Sequence, residues 1–457
     1  MSHELRRRLR LWFSLAEPVD RWTYFANGLL LMTLKYGCDA IAVFRATGRF
    51  WSPLGYLLPF GFLRTATLAG APAWFLPALV LWTLPFLWIG VGMTLRRAVD
   101  AGRSPWLSLA FFVPLLNYVV MLALSVAPTA PGGRWRAGTD AVAHARLAGA
   151  LYGVAAGLAV AVPTILLNVY VLHRYSTSLF LGTPFTLGAV TAYVFNRERP
   201  HDVRATLQVV SLGVVLLGGA VLLFAIEGLV CVAMALPLAL AIALLGGLFG
   251  RAIALHTAGG ATHVAGLAVA IPILAGLDRV RAPGGVYEVT DSVVIAAPRE
   301  AVWRHVVSFT ELAPPGEALF KLGVAYPRRA WIERPDAGRA GAIRYCEFST
   351  GTFVEPITTW QAPERLSFAI TAQPIPLREF SPYGAIEPPH LHGYFQARRG
   401  AFRLSDLAGE RTLLVGSTWY EIDIGPRTYW KFYAHLIVSA IHRRVLEHIK
   451  RLSETPP

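Results

Sequence analysis

The segment EVTDSVVIAAPREAVWRHVVSF, from Glu288 to Phe309, marks the point where the chain changes from a membrane-like to a water-soluble pattern. Residues 289–296 place alternate side chains on opposite faces, which predicts a half-buried strand. Pro298 then stands where a helix can begin, and Glu300 lies in its first turn. Trp303 belongs to the apolar side of that helix. The segment therefore predicts a strand that turns directly into a helix.

The composition before this segment is that of a membrane protein. Of the 457 residues, 54% are hydrophobic and 15% are charged, and the mean hydropathy is +0.48. Soluble domains carry about 25% charged residues. The net charge of +14 lies mostly before residue 283, in arginines scattered between apolar runs. This scatter suits lipid headgroups and membrane topology and does not indicate nucleic-acid binding.

Apolar runs long enough to cross a bilayer predict a polytopic α-helical protein with about eight spans. A tight hairpin is expected at Glu227-Gly228, because one helix through both neighbouring runs would be about 64 Å long. The runs cover residues 24–45, 72–95, 105–127, 147–173, 179–196, 206–226, 228–250 and 257–277.

The domain boundaries follow from these runs. Residues 1–130 form an N-terminal membrane domain, residues 131–277 hold further transmembrane helices, residues 278–285 are a linker, and residues 286–452 form a soluble domain. Eight crossings with positively charged cytoplasmic ends place the soluble domain on the cytoplasmic side of a bacterial inner membrane. One miscounted span would reverse that side.

The soluble domain is predicted to contain one antiparallel sheet and a long closing helix. After the first strand and short helices, strand-like runs occupy residues 342–349, 352–360, 365–372, 391–397, 400–405 and 411–422. Apolar residues then recur at helical spacing from Pro426 to the end. A curved sheet that grips one amphipathic helix encloses a space between them, which is a cavity if large side chains do not fill it.

The soluble domain resembles the START-like or SRPBCC superfamily of lipid-transfer proteins and polyketide cyclases. The resemblance lies in VTDSVVIAAPREAVWRHV, WQAPERLSFAI, GERTLLVGSTWYEI and the closing helix. It implies an α+β helix-grip fold with a hydrophobic cavity and leaves the ligand open, because the superfamily includes enzymes, binders and regulators.

The first part of the chain, about residues 14–130, resembles a bacterial inner-membrane family known as domain of unknown function 805. The resemblance lies in RRAVDAGRSPW and the following FFVPLLNYVVMLAL. This chain has Ala98-Val99 where the family usually has Leu-His, and Pro105-Trp106-Leu107 where it usually has Gly-Trp-Trp. The family has no established activity to carry over.

Several charged residues near or within the apolar runs are candidate sites. Lys35 and Asp39 can neutralise each other one helical turn apart. Glu227 has no basic residue nearby in sequence, so it is either a buried intramembrane acid or, as we favour, a solvated hairpin tip. A membrane-interface motif either binds headgroups or, as we favour, anchors topology; its residues are Arg96, Arg97, Asp100, Arg103 and Trp106.

Aromatic and histidine residues supply the candidate cavity lining of the soluble domain. The same residues would serve equally well as ordinary core. His390 and His392 would share a face on a strand and could bind a metal, but no third ligand is apparent, so no metal site is predicted. The lining set is Trp303, Phe348, Trp360, Phe368, His392, Tyr394, Tyr420, Trp430, Tyr433 and His435.

Three functions are consistent with this sequence. The first is non-catalytic binding of a hydrophobic, lipid-like molecule by a membrane-tethered domain. The second is a cyclase- or hydrolase-type enzyme that uses His392, His435, Glu347 or Tyr420 as acid–base groups. The third is a regulatory or assembly module for the membrane part. No catalytic residue and no cofactor is assigned; the expected partners are the lipid bilayer and a hydrophobic small molecule, without nucleic acid.

Overall fold

The computed structural model divides into a helical region before residue 257 and a mixed sheet-and-helix domain from residue 285, called the grip domain below. It describes residues 9–15, 17–57, 67–68, 70–72, 74–112, 115–130, 138–256, 285–333 and 340–455.

Helices account for most of the described residues of the helical region. A 3₁₀ helix spans Pro105–Phe112, and single π-helical segments span Leu167–Val171 and Ser178–Gly182. The α-helices are α1 (Arg21–Thr47), α2 (Pro53–Leu57), α3 (Phe75–Asp100), α4 (Leu116–Val126), α5 (Gly138–Leu166), α6 (Thr183–Asn196), α7 (Val203–Leu223) and α8 (Leu229–His256).

Among the described residues, five helical segments are long and apolar enough to cross a bilayer. They are Phe75–Asp100, Arg146–Val171, Ser178–Asn196, Val203–Leu223 and Leu229–Leu255.

These five segments coincide with five of the roughly eight expected spans, and they are counted over the described residues alone. Helix α1 is long enough, but it carries Lys35 and Asp39 at its centre and is not among the five. The expected third span, 105–127, breaks into a 3₁₀ helix and the 11-residue α4. Eleven residues reach only about 17 Å, against about 30 Å of hydrocarbon. The expected eighth span, 257–277, lies outside the described residues.

Helices α6 and α8 pack with their backbones almost in contact, which glycine makes possible. A Cβ added at Gly188 would lie 1.9 Å from the carbonyl oxygen of Ala243. One added at Gly246 would lie 2.1 Å from the carbonyl oxygen of Phe185. Small residues at such crossings let membrane helices gain van der Waals contact without a hydrophobic driving force. This packing fixes the position of α8, which later contributes to the candidate site.

The arginines of the helical region gather at one end of the bundle, and the grip domain contacts the other end. Helix α8 begins beside the grip domain and ends near Arg251, which donates to the carbonyl of His201 at 2.9 and 3.0 Å. The arginines at that far end include Arg96, Arg97, Arg103, Arg146, Arg197, Arg199, Arg204 and Arg251, whereas Arg45, Arg49 and Arg174 lie at helix ends on the grip-domain side.

The grip domain is a seven-stranded antiparallel sheet that holds a long helix. The elements are β1 (Tyr287–Ile295), α9 (Arg299–Val307), α10 (Ala318–Lys321), β2 (Pro327–Ile332), β3 (Ile343–Phe348), β4 (Gly351–Gln361), β5 (Arg365–Ala369), β6 (Glu379–Ser381), β7 (Gly384–Ile386), a 3₁₀ turn (Pro389–Leu391), β8 (Phe395–Leu407), β9 (Arg411–Ile422) and α11 (Arg427–Glu454). The order of strands across the sheet is β1-β9-β8-β5-β4-β3-β2.

The predicted helix-grip architecture is therefore confirmed. Helix α11 lies against the sheet and buries Leu446 and Ile449 in one continuous core with α9. In that core Trp303 meets Trp360 edge to face, with ring centroids 5.6 Å apart. Aromatic pairs in this geometry contribute about 0.5–1.5 kcal/mol beyond the area they bury. The core thus fills the end of the domain farthest from the helical region.

Two strand predictions need correction. The expected strands 391–397 and 400–405 form the single strand β8, because its pairing with β9 continues through an irregularity between Ala397 and Arg399. Strand β2 was not predicted, since its segment PRRAWI is short and carries two arginines. No strand was predicted in the Pro-rich segment 374–390, which contains the two-stranded sheet β6-β7.

We predict that Gly246→Ala lowers the stability of the helical region by about 1–3 kcal/mol, because the added methyl group collides with the α6 backbone. Thermal unfolding of the purified chain in detergent would measure this. Gly219→Ala in α7 is the matched control, because a Cβ there meets no atom within 4 Å. Equal melting temperatures for the two variants would contradict the proposed close crossing.

Candidate functional site

An apolar, partly open cavity lies between the helical region and the grip domain. Its volume is about 220 Å³. Helices α5, α7 and α8 supply one wall, and β8, β9 and α11 supply the other. The lining includes Ile165, Val169, Val214, Leu217, Val221, Val232, Met234, Ala235, Leu236, Ala239, Phe395, Ile422, Ile424, Trp430, Tyr433, Ala434 and Ile437.

One corner of this cavity is polar. Glu227, Cys231, His390 and Tyr175 all line it. The Nδ1 atom of His390 lies 2.8 Å from Oε2 of Glu227, and its Nε2 atom lies 2.9 Å from the Sγ atom of Cys231. The hydroxyl of Tyr175 donates to the other oxygen of Glu227. A thiol, an imidazole, a carboxylate and a phenol therefore form one continuous chain of contacts.

Local backbone geometry places each of these groups. Glu227 lies in the tight turn between α7 and α8, where Ala225 has a positive φ of 53°. Cys231 lies in the first turn of α8. His390 is in a 3₁₀ turn that starts after Pro388, whose extended backbone ends the preceding segment. The corner thus depends on a membrane hairpin and a Pro-rich loop meeting.

Glu379, in β6, fastens that loop to the membrane helix. Its two carboxylate oxygens accept hydrogen bonds from the backbone N–H groups of Val230, at 3.1 Å, and Cys231, at 2.9 Å. These are N–H groups that the first turn of a helix leaves unpaired. The side chain is fully buried. Burial raises the pKa of Glu379, while the hydrogen bonds and His390 oppose that rise.

Tyr175 stays protonated and acts as a donor. Burial, reinforced by the neighbouring Glu227 carboxylate, raises the pKa of Tyr175 well above its usual range. Its ring also packs edge to face on His390 and Tyr394, with centroids 5.5 and 5.0 Å away. Tyr394 in turn donates to the carbonyl of His173 at 2.7 Å. Tyr175 therefore positions both the carboxylate and the imidazole.

A second, smaller cavity of about 130 Å³ lies inside the grip domain, between the sheet and α11. A buried ion pair between Arg344 and Glu355 occupies one side of it. The Arg344 guanidinium also lies 5.3 Å from the ring centroid of Phe368. Phe348 lines the same space. Much of the interior that the fold could offer a ligand is thus taken by the protein's own side chains.

His442 borders this smaller cavity and is fully partnered. It lies 2.9 Å from Asp291 and 2.7 Å from the hydroxyl of Thr418. Burial lowers the pKa of His442, and the Asp291 carboxylate only partly offsets this.

The structure distributes the predicted lining residues over several places. Trp430 and Tyr433 line the cavity between the two parts, and Phe348 and Phe368 line the smaller one. Trp303 and Trp360 pack against each other in the core. These six positions, together with Tyr394, account for the predicted aromatic residues other than Tyr420.

Tyr420 and His435 lie close together, away from the other acid–base candidates. Their ring centroids are 5.9 Å apart, and Tyr420 stacks on Phe395. Burial raises the pKa of Tyr420 to about 12. Glu347 instead pairs with Arg329 at 2.6 Å on the outside of the sheet. His392 is exposed beside a separate groove. The four candidates therefore do not converge on one point.

His390 and His392 do not share a face, because the segment forms a 3₁₀ turn and not a strand. His390 is buried against Glu227, whereas His392 faces solvent. Glu227 does lie at the predicted hairpin tip, but its side chain is only 13% exposed. The expectation of a solvated tip is wrong, because the grip domain covers it.

The basic motif of the N-terminal domain is largely internal. Arg97 pairs with Asp100 and donates to the carbonyl of Leu124 at 2.9 Å. Arg96 is 1% exposed and bonds to backbone carbonyls near the N-terminus. Arg103 is exposed, and the side chain of Trp106 lies outside the described part.

Lys35 and Asp39 form the expected pair within α1. The hydroxyl of Tyr56 also donates to Asp39, at 2.9 Å. The pair is therefore partnered from a second element.

The family described as "Protein of unknown function (DUF805)" matches residues 13–135, which confirms the N-terminal resemblance. A comparison with curated proteins finds no match.

Several solved structures match the C-terminal part of this chain over most of their own length. Norcoclaurine synthase from Thalictrum flavum shares 13% identity, covering 39% of this chain and 99% of that chain, with a TM-score of 0.25. An aromatase/cyclase from Streptomyces sp. R1128 shares 12% identity with this chain, and the match covers 37% of this chain and 94% of that chain with a TM-score of 0.25. A protein from Nitrosospira multiformis shares 17% identity, and the match covers 37% of this chain and 97% of that chain with a TM-score of 0.24. Identities this low assign neither a substrate nor a reaction.

We predict that Glu379→Ala loosens the contact between the grip domain and α8 by about 1–3 kcal/mol, because two N–H groups lose their acceptor. Hydrogen exchange read by mass spectrometry should show faster uptake at residues 375–391 and in the first turn of α8. Glu387→Ala, at an exposed position of the same segment, is the control. Unchanged uptake in Glu379→Ala would contradict the capping role.

Proposed function

We propose that this chain binds a hydrophobic, lipid-like molecule in the cavity between its helical region and its grip domain. The observation that carries this proposal is the cavity itself: its walls come from both parts, and apart from one polar corner they are apolar. An apolar cavity with a few convergent polar groups is the usual form of a small-molecule site. Burying an apolar ligand there is favourable by about 25 cal/mol per Å².

The size of the cavity favours a partly enclosed amphiphile. Small-molecule sites usually measure about 300–1,000 Å³, and this one is smaller. A single acyl chain or a small ring system suits that volume. The polar corner then faces an ester, carboxyl or hydroxyl group of the ligand, since Tyr175, His390 and Cys231 offer hydrogen-bonding groups there.

The cavity also reaches the lipid-facing surface. Leu236 lines it and is 37% exposed on the outside of α8. This supports entry of a ligand sideways from the bilayer. Tethering keeps the grip domain at the membrane, where the effective concentration of such ligands is high.

We also infer that the grip domain faces away from the cytoplasm. The sequence alone favoured the cytoplasmic side, but most described arginines of the helical region lie at the opposite end of the bundle. Cytoplasmic ends of membrane helices carry an excess of Lys and Arg. The apolar run 257–277 has the length needed to return the chain from that end.

Filling the cavity should abolish binding. Ala235→Trp places an indole inside it, and we expect the affinity for a dansyl-labelled fatty acid to fall at least tenfold, about 1.4 kcal/mol. Fluorescence titration of the full chain in detergent measures this, and native mass spectrometry reads the lipids that copurify. Ala233→Trp, exposed on the same helix, is the control. Equal binding by both variants would reject the cavity as the site.

Membrane orientation is tested by fusing alkaline phosphatase or green fluorescent protein after Pro457 in a Gram-negative host. Alkaline phosphatase needs disulfides, which form outside the cytoplasm. An active phosphatase fusion and a dark fluorescent fusion are the expected results. The reverse pattern would place the grip domain in the cytoplasm and overturn the inferred orientation.

A further inference from the structure

Three side chains at the polar corner stand in the order thiol, imidazole, carboxylate. The Sγ atom of Cys231 is 2.9 Å from Nε2 of His390, and Nδ1 of the same ring is 2.8 Å from Oε2 of Glu227. The imidazole therefore contacts the thiol with one nitrogen and the carboxylate with the other. Sequence separation hides this arrangement, because Cys231 and His390 are 159 positions apart.

This order is the one that activates a cysteine nucleophile. The Glu227 carboxylate lies 2.8 Å from Nδ1 and favours a proton on that nitrogen by charge attraction, although the two atoms are not aligned as a hydrogen bond. Nε2 is then free to accept the thiol proton. Tyr175 donates to the second oxygen of Glu227 and so holds the carboxylate in place. Glu379 lies 4.0 Å from Nε2 of His390, where a negative charge stabilises the imidazolium that proton transfer creates.

A metal ion is the other chemistry that these residue types allow. Among the described residues, Glu227, Cys231 and His390 do form a cluster whose potential ligand atoms lie within 4.8 Å of one another. A zinc ligand set directs one nitrogen of each histidine, the thiolate and the carboxylate at a common point. Here the thiol and the carboxylate instead contact opposite nitrogens of one ring, which favours proton transfer over coordination.

We propose that Cys231 is an acyl-accepting nucleophile that forms a thioester with the acyl chain of a glycerolipid ester. The proposal rests on the proposed function, because the acyl chain would occupy the same apolar cavity that Cys231 lines. An ester within the bilayer is the substrate class that reaches this corner from the lipid side. The ester carbonyl would lie next to the sulfur at the polar corner, where Tyr175 and His390 border the apolar wall.

The step balances without a further reactant. The thiol proton passes to Nε2 of His390, and the thiolate sulfur bonds to the acyl carbon. The bond between that carbon and the glycerol oxygen breaks, and His390 returns the proton to the leaving oxygen. Water then attacks the thioester with His390 as base, which releases the fatty acid and restores the free thiol.

The test uses the full chain in detergent with p-nitrophenyl decanoate as an acyl donor. We expect a burst of about one equivalent of p-nitrophenolate per chain and a decanoyl adduct on the peptide that contains Cys231. Cys231→Ala and Cys231→Ser should abolish both. His390→Asn should slow the burst about 100-fold or more, the usual contribution of a general base. Cys38→Ala, in α1 and away from the corner, should behave as wild type.

Binding and chemistry can be separated with the same variants. Cys231→Ala removes one polar group and keeps the apolar walls, so its affinity for the dansyl-labelled fatty acid should fall by less than the tenfold expected for Ala235→Trp. Ala235→Trp should lose both binding and the adduct. Binding by the wild type without any adduct would overturn the nucleophile and leave the proposed function intact. If the wild type neither binds the fatty acid nor forms the adduct, both the proposed function and the nucleophile are overturned. An adduct that persists in Cys231→Ala, or stoichiometric zinc that is lost from that variant, would also overturn the nucleophile.

Discussion

A buried carboxylate of the grip domain completes the first turn of a membrane helix, and the relation between the two parts depends on it. Glu379 accepts the N–H groups of Val230 and Cys231, which have no partner within α8. The fit is tight, because a Cβ at Gly228 would lie 2.0 Å from the Glu379 side chain. A carboxylate at a helix N-terminus is also favoured by the helix dipole. Once Glu379 is placed, the loop that carries His390 has little freedom, and the corner assembles around Glu227.

The same contact explains why the larger cavity lies at the mouth of the grip domain and not inside it. Much of the interior between sheet and helix is occupied by the Arg344–Glu355 pair and by the aromatic rings around it, which leaves a cavity of only about 130 Å³. Removing one partner of a buried ion pair lowers the stability of the fold by about 3–5 kcal/mol. The pair therefore keeps occupying this part of the interior. At the mouth, Trp430 and Phe395 instead face helices α7 and α8 across a gap. The membrane part therefore closes a space that the soluble domain alone would leave open to water.

Much of the fold follows from local patterns in the sequence. The alternation at 289–296, the turn at Pro298 and the helical spacing after Pro426 each predict an element that the structure contains. The failures occur where tertiary contacts override local signals. Two strands, 391–397 and 400–405, were predicted where β8 is continuous, and the Phe368 ring lies directly over Gly400, where a Cβ would be 2.5 Å from it. That glycine marks a close approach and not a turn.

The site was only half visible in the sequence. Glu227 stood out as an isolated acid in an apolar run, and such an acid needs a partner if it is buried. Its partner, His390, lies in a Pro-rich segment whose conformation no local pattern fixes. Cys231 gave no signal, because a cysteine in an apolar helix is ordinarily an inert core residue. An acid at a predicted hairpin tip is solvated only if nothing covers that tip, and in this chain the covering domain begins about sixty residues later.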